Sequence, residues 1–336
     1  MGQVYGVISD VHHNPKFVKR AIDVLKDLGA RMLIVAGDIS RPMKTVEDEF
    51  AYTGYIVKAL GDSGLESYII PGCCDKIGPL ASSIAYFKDK YKNIIDCVSI
   101  AKVQSKDHEL VFLPGADFSL DGEYLFGTNP MMSTGRYALS DGGYEEFPGW
   151  SEYNKRKNEG TAYGVMHYTN LHEMEKYVTD PERTVLVSHV PPFCNWVDNR
   201  IDEGYYCPSR FASNPDSMYF DVELINLERK VEQDDLERVS EKYKIAIETK
   251  SGSRGLRSAC EHLGLSKCVS GHFHYSGHRA HGPWGEQVKE GEWSDSLYWN
   301  VGQLDIGQCG LLFVKDDKMT YHNVLLQQHT NFLGKK

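Results

Sequence analysis

The sequence predicts an α/β protein built around a mainly parallel sheet. Short apolar runs alternate with amphipathic segments through the first hundred residues, and polar side chains follow several of these runs. This alternation is typical of βαβ units, in which the strands are buried and the loops at the strand ends can form a site. The chain has 336 residues, 41% of them hydrophobic and 25% charged, so it can bury a sizeable core.

The individual elements follow from apolar patterning and from helix boundary signals. The first helix is expected to be capped by Asn14, to start at Pro15 and to close at Gly29. Strands are predicted at 4–8, 32–36, 67–70, 184–187 and 268–269, further helices at 47–60, 80–91 and 255–263, and a C-terminal β-meander over 297–301, 311–314 and 319–324.

Two irregular segments interrupt this single domain, which is predicted to span residues 1–336. Residues 116–178 are rich in Gly, Tyr, Ser and Asn, and we expect them to form an insertion or lid; a surface elaboration or an oligomer contact is the alternative. Residues 195–250 form a second, partly helical insertion with a charged helix predicted around 224–243.

Charge and cysteine usage exclude several functional classes. The net charge of −10 argues against extended nucleic-acid binding and against docking on an anionic membrane. No leader or membrane-length apolar stretch is evident, and the eight cysteines have no repeated spacing typical of a zinc ribbon or a disulfide framework. A cytoplasmic protein is therefore expected.

Five short blocks end or follow predicted strands, and each offers side chains that bind metals. They are Asp10-Val11-His12, Gly37-Asp38, Gly72-Cys73-Cys74-Asp75, Ser188-His189 and Gly271-His272-Phe273-His274. Singly, each block is a weak signal. Together they place four imidazoles, at least two carboxylates and a possible thiolate at one end of a sheet, as two bound cations require.

In this order the blocks resemble those of the calcineurin-like metallophosphoesterases, whose pattern is D-x-H, G-D, G-N-H-D/E, a strand ending in H, and G-H-x-H. The resemblance implies a four-layer αββα sandwich with two divalent metal ions among Mn, Fe, Zn and Ni. It implies one ion on Asp10, His12 and His274, a second on Cys73, His189 and His272, and Asp38 between them. The family's nucleophile is a metal-bridging hydroxide.

The third block departs from the family pattern, with Gly-Cys-Cys-Asp in place of Gly-Asn-His-Asp. Cys73 falls at the family's asparagine ligand, and three interpretations are open. It can be a thiolate ligand, which favours Zn or Fe; it can form a redox pair with Cys74; or the second metal position can be weak and the protein a binding scaffold. Retention of the other ligand positions argues against the scaffold.

Cys74 falls where the family has a histidine that assists the leaving group. A neutral thiol is a poor proton donor at neutral pH, and family members with cysteine here are associated with phosphodiesters. We therefore expect a phosphodiesterase acting on a small or medium phosphate ester, with a phosphomonoesterase as the alternative. The predicted catalytic residues are Cys74, Asp75 and His13, although His13 can instead be a loop residue near Asn14. Arg41 is a predicted phosphate contact, with a pairing on the surface as the alternative.

Overall fold

The structure, a computed structural model, describes residues 2–41, 43–115, 135–147, 149–168, 170–194, 196–206, 248–250 and 252–329. Its helices are α1 (Lys16–Asp27), α2 (Val46–Asp62), α3 (Ile77–Lys88), α4 (Trp150–Asn158) and α5 (Arg254–Leu263). Its strands are β1 (Gln3–Ile8), β2 (Met32–Ala36), β3 (Glu66–Ile70), β4 (Ile94–Asp96), β5 (Lys102–Gln104), β6 (Glu109–Leu113), β7 (Gly135–Ser140), β8 (Gly143–Glu146), β9 (Gly164–Tyr168), β10 (Thr184–Ser188), β11 (Gly204–Tyr206), β12 (Glu248–Lys250), β13 (Lys267–Ser270), β14 (Ala280–His281), β15 (Leu297–Asn300), β16 (Gln308–Lys315) and β17 (Lys318–Leu325).

Two six-stranded mixed sheets form the centre of the molecule. The first has the order β17-β16-β1-β2-β3-β4, in which β1 to β4 run parallel and the β16–β17 hairpin joins antiparallel. The second has the order β14-β15-β13-β10-β6-β5, with four parallel central strands and an antiparallel strand at each edge. Both sheets therefore have parallel strands at their centre, as the sequence predicts.

The two sheets pack face to face, and helices cover their outer faces. Tyr5, Phe112 and Trp299 are among the buried side chains that fill the space between the sheets. Helices α1, α2 and α3 pack on the outer face of the first sheet, while Leu256 and Cys260 of α5 pack on the second. Central strands are mostly apolar because both of their faces are buried. The predicted four-layer αββα sandwich is confirmed.

The predicted C-terminal β-meander is wrong at its first strand. Strand β15 lies in the second sheet and pairs parallel with β13, whereas β16 and β17 form a hairpin in the first sheet. All four β15 residues are buried. Such an apolar run indicates a central strand but not its partner, because parallel and antiparallel neighbours bury the same side chains.

The two predicted insertions are described in part. Strands β7, β8 and β9 form a separate antiparallel sheet, with Phe147 and Tyr153 in its small apolar cluster. Residues 116–134, and the helix predicted around 224–243, lie outside the described residues. Within the described ranges, no helix combines the length and the apolar character needed to cross a membrane.

The packing between the sheets predicts how a core substitution changes the free energy of unfolding. Phe112 is 0% exposed and packs against Tyr68, with ring centroids 5.6 Å apart. Phe112→Ala is expected to lower the free energy of unfolding by about 3–5 kcal/mol, because the cavity it leaves cannot be refilled. In urea denaturation the matched surface variant Tyr55→Ala, at a residue 50% exposed, should change it by less than about 0.5 kcal/mol. Equal losses for both variants would contradict this packing.

Candidate metal centre

The five sequence blocks meet at one edge of the two sheets. Asp10 follows β1, Asp38 follows β2 and Cys73 follows β3, all in the first sheet, while His189 follows β10 and His272 follows β13 in the second. Within each sheet these strands run parallel, so their carboxyl ends lie at the same edge. Backbone hydrogen bonds join the loops. The N–H of Asp10 donates to the carbonyl of Gly37, and the N–H of Gly271 donates to the carbonyl of His189.

One set of donor atoms consists of Asp10, His12 and His274, whose ligand atoms lie within 4.8 Å of one another. The Nε2 atoms of the two histidines are 3.2 Å apart, and Asp10 Oδ1 lies 3.5 Å from His12 Nε2 and 3.3 Å from His274 Nε2. The other oxygen, Oδ2, accepts the backbone N–H of His272 at 3.0 Å. The carboxylate is thus oriented by the same loop that supplies His274.

A second set consists of Asp38, Cys73, His189 and His272, again with donor atoms within 4.8 Å of one another. The Cys73 Sγ lies 3.3 Å from Asp38 Oδ2, 3.8 Å from His189 Nε2 and 3.5 Å from His272 Nδ1. Asp38 Oδ2 also lies 3.2 Å from His189 Nε2 and 3.8 Å from His12 Nε2. Asp38 therefore faces both sets.

A backbone contact fixes which nitrogen of His189 faces the centre. Its Nδ1 lies 2.8 Å from the carbonyl oxygen of Ala36, so Nδ1 carries the hydrogen and donates it. When the ring is neutral, Nε2 faces Asp38 and Cys73 with its lone pair, the arrangement seen in metal-ligating histidines. Burial disfavours the charged ring, but attraction to Asp38 raises the pKa of His189 to about 9. The negative charge of Asp38, which stabilises the protonated ring of His189, would also attract a cation.

The donor set fits divalent cations. Imidazole nitrogens, carboxylate oxygens and a thiol sulfur converge from both sheets, and the buried carboxylates of Asp10 and Asp38 face these donors. Burial, followed by repulsion from charged His189, lowers the pKa of His272 to about 4, so its ring is neutral as a ligand requires. Two imidazole Nε2 atoms 3.2 Å apart, both beside one carboxylate, are arranged as for a shared cation.

Four of the donor residues have a strained backbone conformation. Asp10, His12, Asp38 and His272 have φ angles of 54°, 38°, 50° and 67°, in the left-handed region that non-glycine residues rarely adopt. Each such residue costs about 1–3 kcal/mol, and strain of this kind clusters at functional sites. Gly72 is needed beside them, because a Cβ atom there would lie 2.2 Å from Asp38 Oδ1. The sequence shows the glycines but not the strained Asp and His residues.

Asp75 joins two of the loops. Its carboxylate accepts the backbone N–H groups of Ile39 at 3.2 Å, Ser40 at 2.7 Å and Gly72 at 2.8 Å. Burial, together with the nearby charge of Asp38, raises the pKa of Asp75 to about 6. These contacts give Asp75 a positioning role between the second and third blocks, and its predicted catalytic role stays a prediction.

His13 and Arg41 lie together beside His12. Arg41 Nη1 is 2.6 Å from His13 Nδ1, and the rings of His12 and His13 are 6.3 Å apart. Arg41 also stacks on Tyr52, 5.7 Å from the ring centroid, and within the described residues its buried Nε has no hydrogen-bond partner. An arginine at this rim can contact a substrate anion.

Two residues near the centre were missed from the sequence. The Tyr52 hydroxyl donates to the carbonyl of His12 from α2, and Asp305 Oδ1 accepts the backbone N–H of His13 at 3.2 Å. The side chain of Asn14 donates to the carbonyl of Asp305 at 3.2 Å rather than capping α1, which begins at Lys16. No local signal identifies these contacts, because each partner lies on a distant part of the chain.

Comparisons with known proteins support the fold. No family model and no curated protein matches this chain. One solved structure shares the fold with a TM-score of 0.51 at 14% identity, covering 96% of this chain and 99% of that chain. The TT1561 protein of Thermus thermophilus (TM-score 0.48, 12% identity) and a dimetal phosphatase from Danio rerio (0.46, 10%) each match 96% of this chain and 99% of their own.

The contacts of Asp75 make a prediction that separates positioning from catalysis. Asp75→Ala leaves buried N–H groups of Ile39, Ser40 and Gly72 without an acceptor, each at about 1–3 kcal/mol. We expect the free energy of unfolding to fall by at least about 2 kcal/mol in urea denaturation, and bound metal to fall with it.

The control is Asp198→Ala, which removes an exposed carboxylate and should change neither quantity. If Asp75→Ala kept wild-type stability and metal content while losing activity, the positioning role would be wrong and the catalytic one supported.

Proposed function

We propose that this protein is a calcineurin-like metallophosphoesterase, and that its reaction is the hydrolysis of phosphodiesters. The observation that carries the proposal is the convergence of two sets of metal-binding donors on Asp38, at the carboxyl ends of strands from both sheets. The order of the blocks along the chain supports the family, and the shared fold is compatible with it.

Cations at this site would supply a water-derived nucleophile at neutral pH and charge neutralisation of the phosphate. Asp10, His12 and His274 would hold one ion, while Cys73, His189 and His272 would hold the other, with Asp38 contacting both. The buried carboxylates of Asp10 and Asp38 need positive charge to offset their desolvation, and such ions would supply it. The thiol favours Zn or Fe over Mg.

Residues around the donors favour a diester over a monoester. Cys74 stands where a leaving-group histidine would stand, and a thiol is a weak hydrogen-bond donor. A diester carries one negative charge at neutral pH, so it makes a smaller demand on positive charge than a monoester dianion. Arg41 Nη1 donates to Nδ1 of His13 at the rim, and from there the Arg41 guanidinium would orient the phosphate.

We further propose that the protein acts in the cytoplasm on a small or medium phosphate ester. Reducing conditions there would keep Cys73 and Cys74 as thiols. The net charge of −10 would disfavour long nucleic acids as substrates.

Metal content and substrate preference test the proposal together. Protein purified without chelator should contain one to two transition-metal ions per chain, and should hydrolyse bis(p-nitrophenyl) phosphate faster than p-nitrophenyl phosphate. His189→Asn should lower kcat/KM for the diester at least about 100-fold, since the ions supply several kcal/mol.

His322→Asn is the matched control, because His322 is a half-exposed histidine that contacts Glu290 outside the centre. It should keep both metal and rate. A metal content well below one ion per chain, with no hydrolysis of either ester, would refute the proposed enzymatic function. Faster hydrolysis of the monoester would refute the preference for diesters.

Arg41 makes a separate prediction about substrate binding. Arg41→Ala should raise KM for the diester about 10- to 150-fold, because a charge-assisted contact contributes about 1.5–3 kcal/mol. Metal content should be unchanged, since Arg41 donates to His13 and not to the ligand set.

The exposed Arg183, which lies 3.7 Å from Asp180, provides the control Arg183→Ala with an unchanged KM. A wild-type KM in Arg41→Ala would show that Arg41 does not contact the phosphate.

A further inference from the structure

The thiol of Cys74 lies beside the candidate metal centre. Its Sγ, a nitrogen of His12 and an oxygen of Asp38 lie within 4.8 Å of one another, forming a third set of metal-binding donors. The backbone N–H of Cys74 donates to Asp38 Oδ1 at 2.7 Å, which holds this residue against the carboxylate that belongs to the second set and lies 3.8 Å from His12 of the first. The position is therefore fixed by the same group that links the two sets.

A turn brings both cysteines to the same side of the chain. Neighbouring side chains on an extended strand point in opposite directions, but residues 73 and 74 form a turn after β3, and their Sγ atoms are 4.0 Å apart. Zinc–sulfur bonds are about 2.3 Å long, so two sulfurs at this separation can both bind ions of one centre. Cys73 faces His189 and His272, whereas Cys74 faces His12.

We propose that Cys74 is a second thiolate ligand of the centre, on the side of His12, in addition to Cys73. This inference rests on the proposed metal centre, and it replaces the leaving-group role that the sequence suggests for Cys74. Two neighbouring thiolates would give the centre a stronger preference for soft ions such as zinc over magnesium or manganese than one thiolate gives.

The second thiolate would also affect which phosphate ester the centre favours. With Asp10, Asp38, Cys73 and Cys74 all ionised, the negative charge of the ligands would balance that of two divalent cations. A balanced centre attracts a phosphomonoester dianion less than a positively charged one does, because the attraction scales with the product of the charges. Diesters, with a single charge, lose less from this change.

Cobalt spectroscopy on the full-length chain tests the ligand directly. Protein stripped of metal is titrated with Co²⁺, whose thiolate bonds absorb in the near ultraviolet, independently of turnover. Wild type should show this absorption, and Cys73→Ser and Cys74→Ser should each remove about half of it. Cys309→Ala, which removes a buried thiol of β16, is the control and should leave the absorption unchanged.

A second variant and a second measurement distinguish the loss of a ligand from misfolding. Cys74→Ala should lose the same absorption as Cys74→Ser while keeping the wild-type circular dichroism, and both should bind zinc less selectively against magnesium in competition. Full sulfur absorption in both Cys74 variants would overturn the inference. That result, with cobalt bound and the diester still hydrolysed, would leave the proposed function standing. Failure of wild type to bind cobalt would overturn both.

Discussion

The carboxylate of Asp38 is the interaction on which the rest of the site depends. One oxygen lies 3.2 Å from His189 Nε2 and 3.8 Å from His12 Nε2, and the other accepts the backbone N–H of Cys74 at 2.7 Å. Asp38 thus connects a strand of the second sheet with two loops of the first. A buried carboxylate held among so many partners needs positive charge to offset its desolvation, which imidazolium groups or cations can supply.

Bringing these loops together imposes strain that the sandwich must offset. Asp10, Asp38 and His272 adopt left-handed backbone, and Gly271 approaches so closely that a Cβ there would lie 2.4 Å from Asp10 Oδ2. The apolar layer between the sheets fixes the strand ends, and Asp75 ties the second loop to the third. The rigid scaffold therefore holds the donors at separations that favour cation binding.

The two cysteines place thiol groups in a turn whose conformation is held by other residues. Cys73 and Cys74 occupy a turn whose ends are fixed by Gly72 and Asp75, so an exchange of side chains leaves the register intact. A thiolate that binds a metal adds negative charge and is a softer ligand than a neutral side-chain donor. Under the proposed function, this loop would influence which ions and which phosphate esters the centre favours.

Sequence patterning alone predicts the α/β class, most strand and helix positions, and the blocks that contribute Asp10, His12, Asp38, Cys73, His189 and the histidines at 272 and 274. These features can be predicted because βαβ patterning and short motifs are local. The parallel pairing of β15 with β13, the contacts of Asp75 with the neighbouring loop and the approach of the Cys74 thiol to His12 are evident only in three dimensions. Those features depend on contacts between residues far apart along the chain, and the period of a local pattern does not specify its partner.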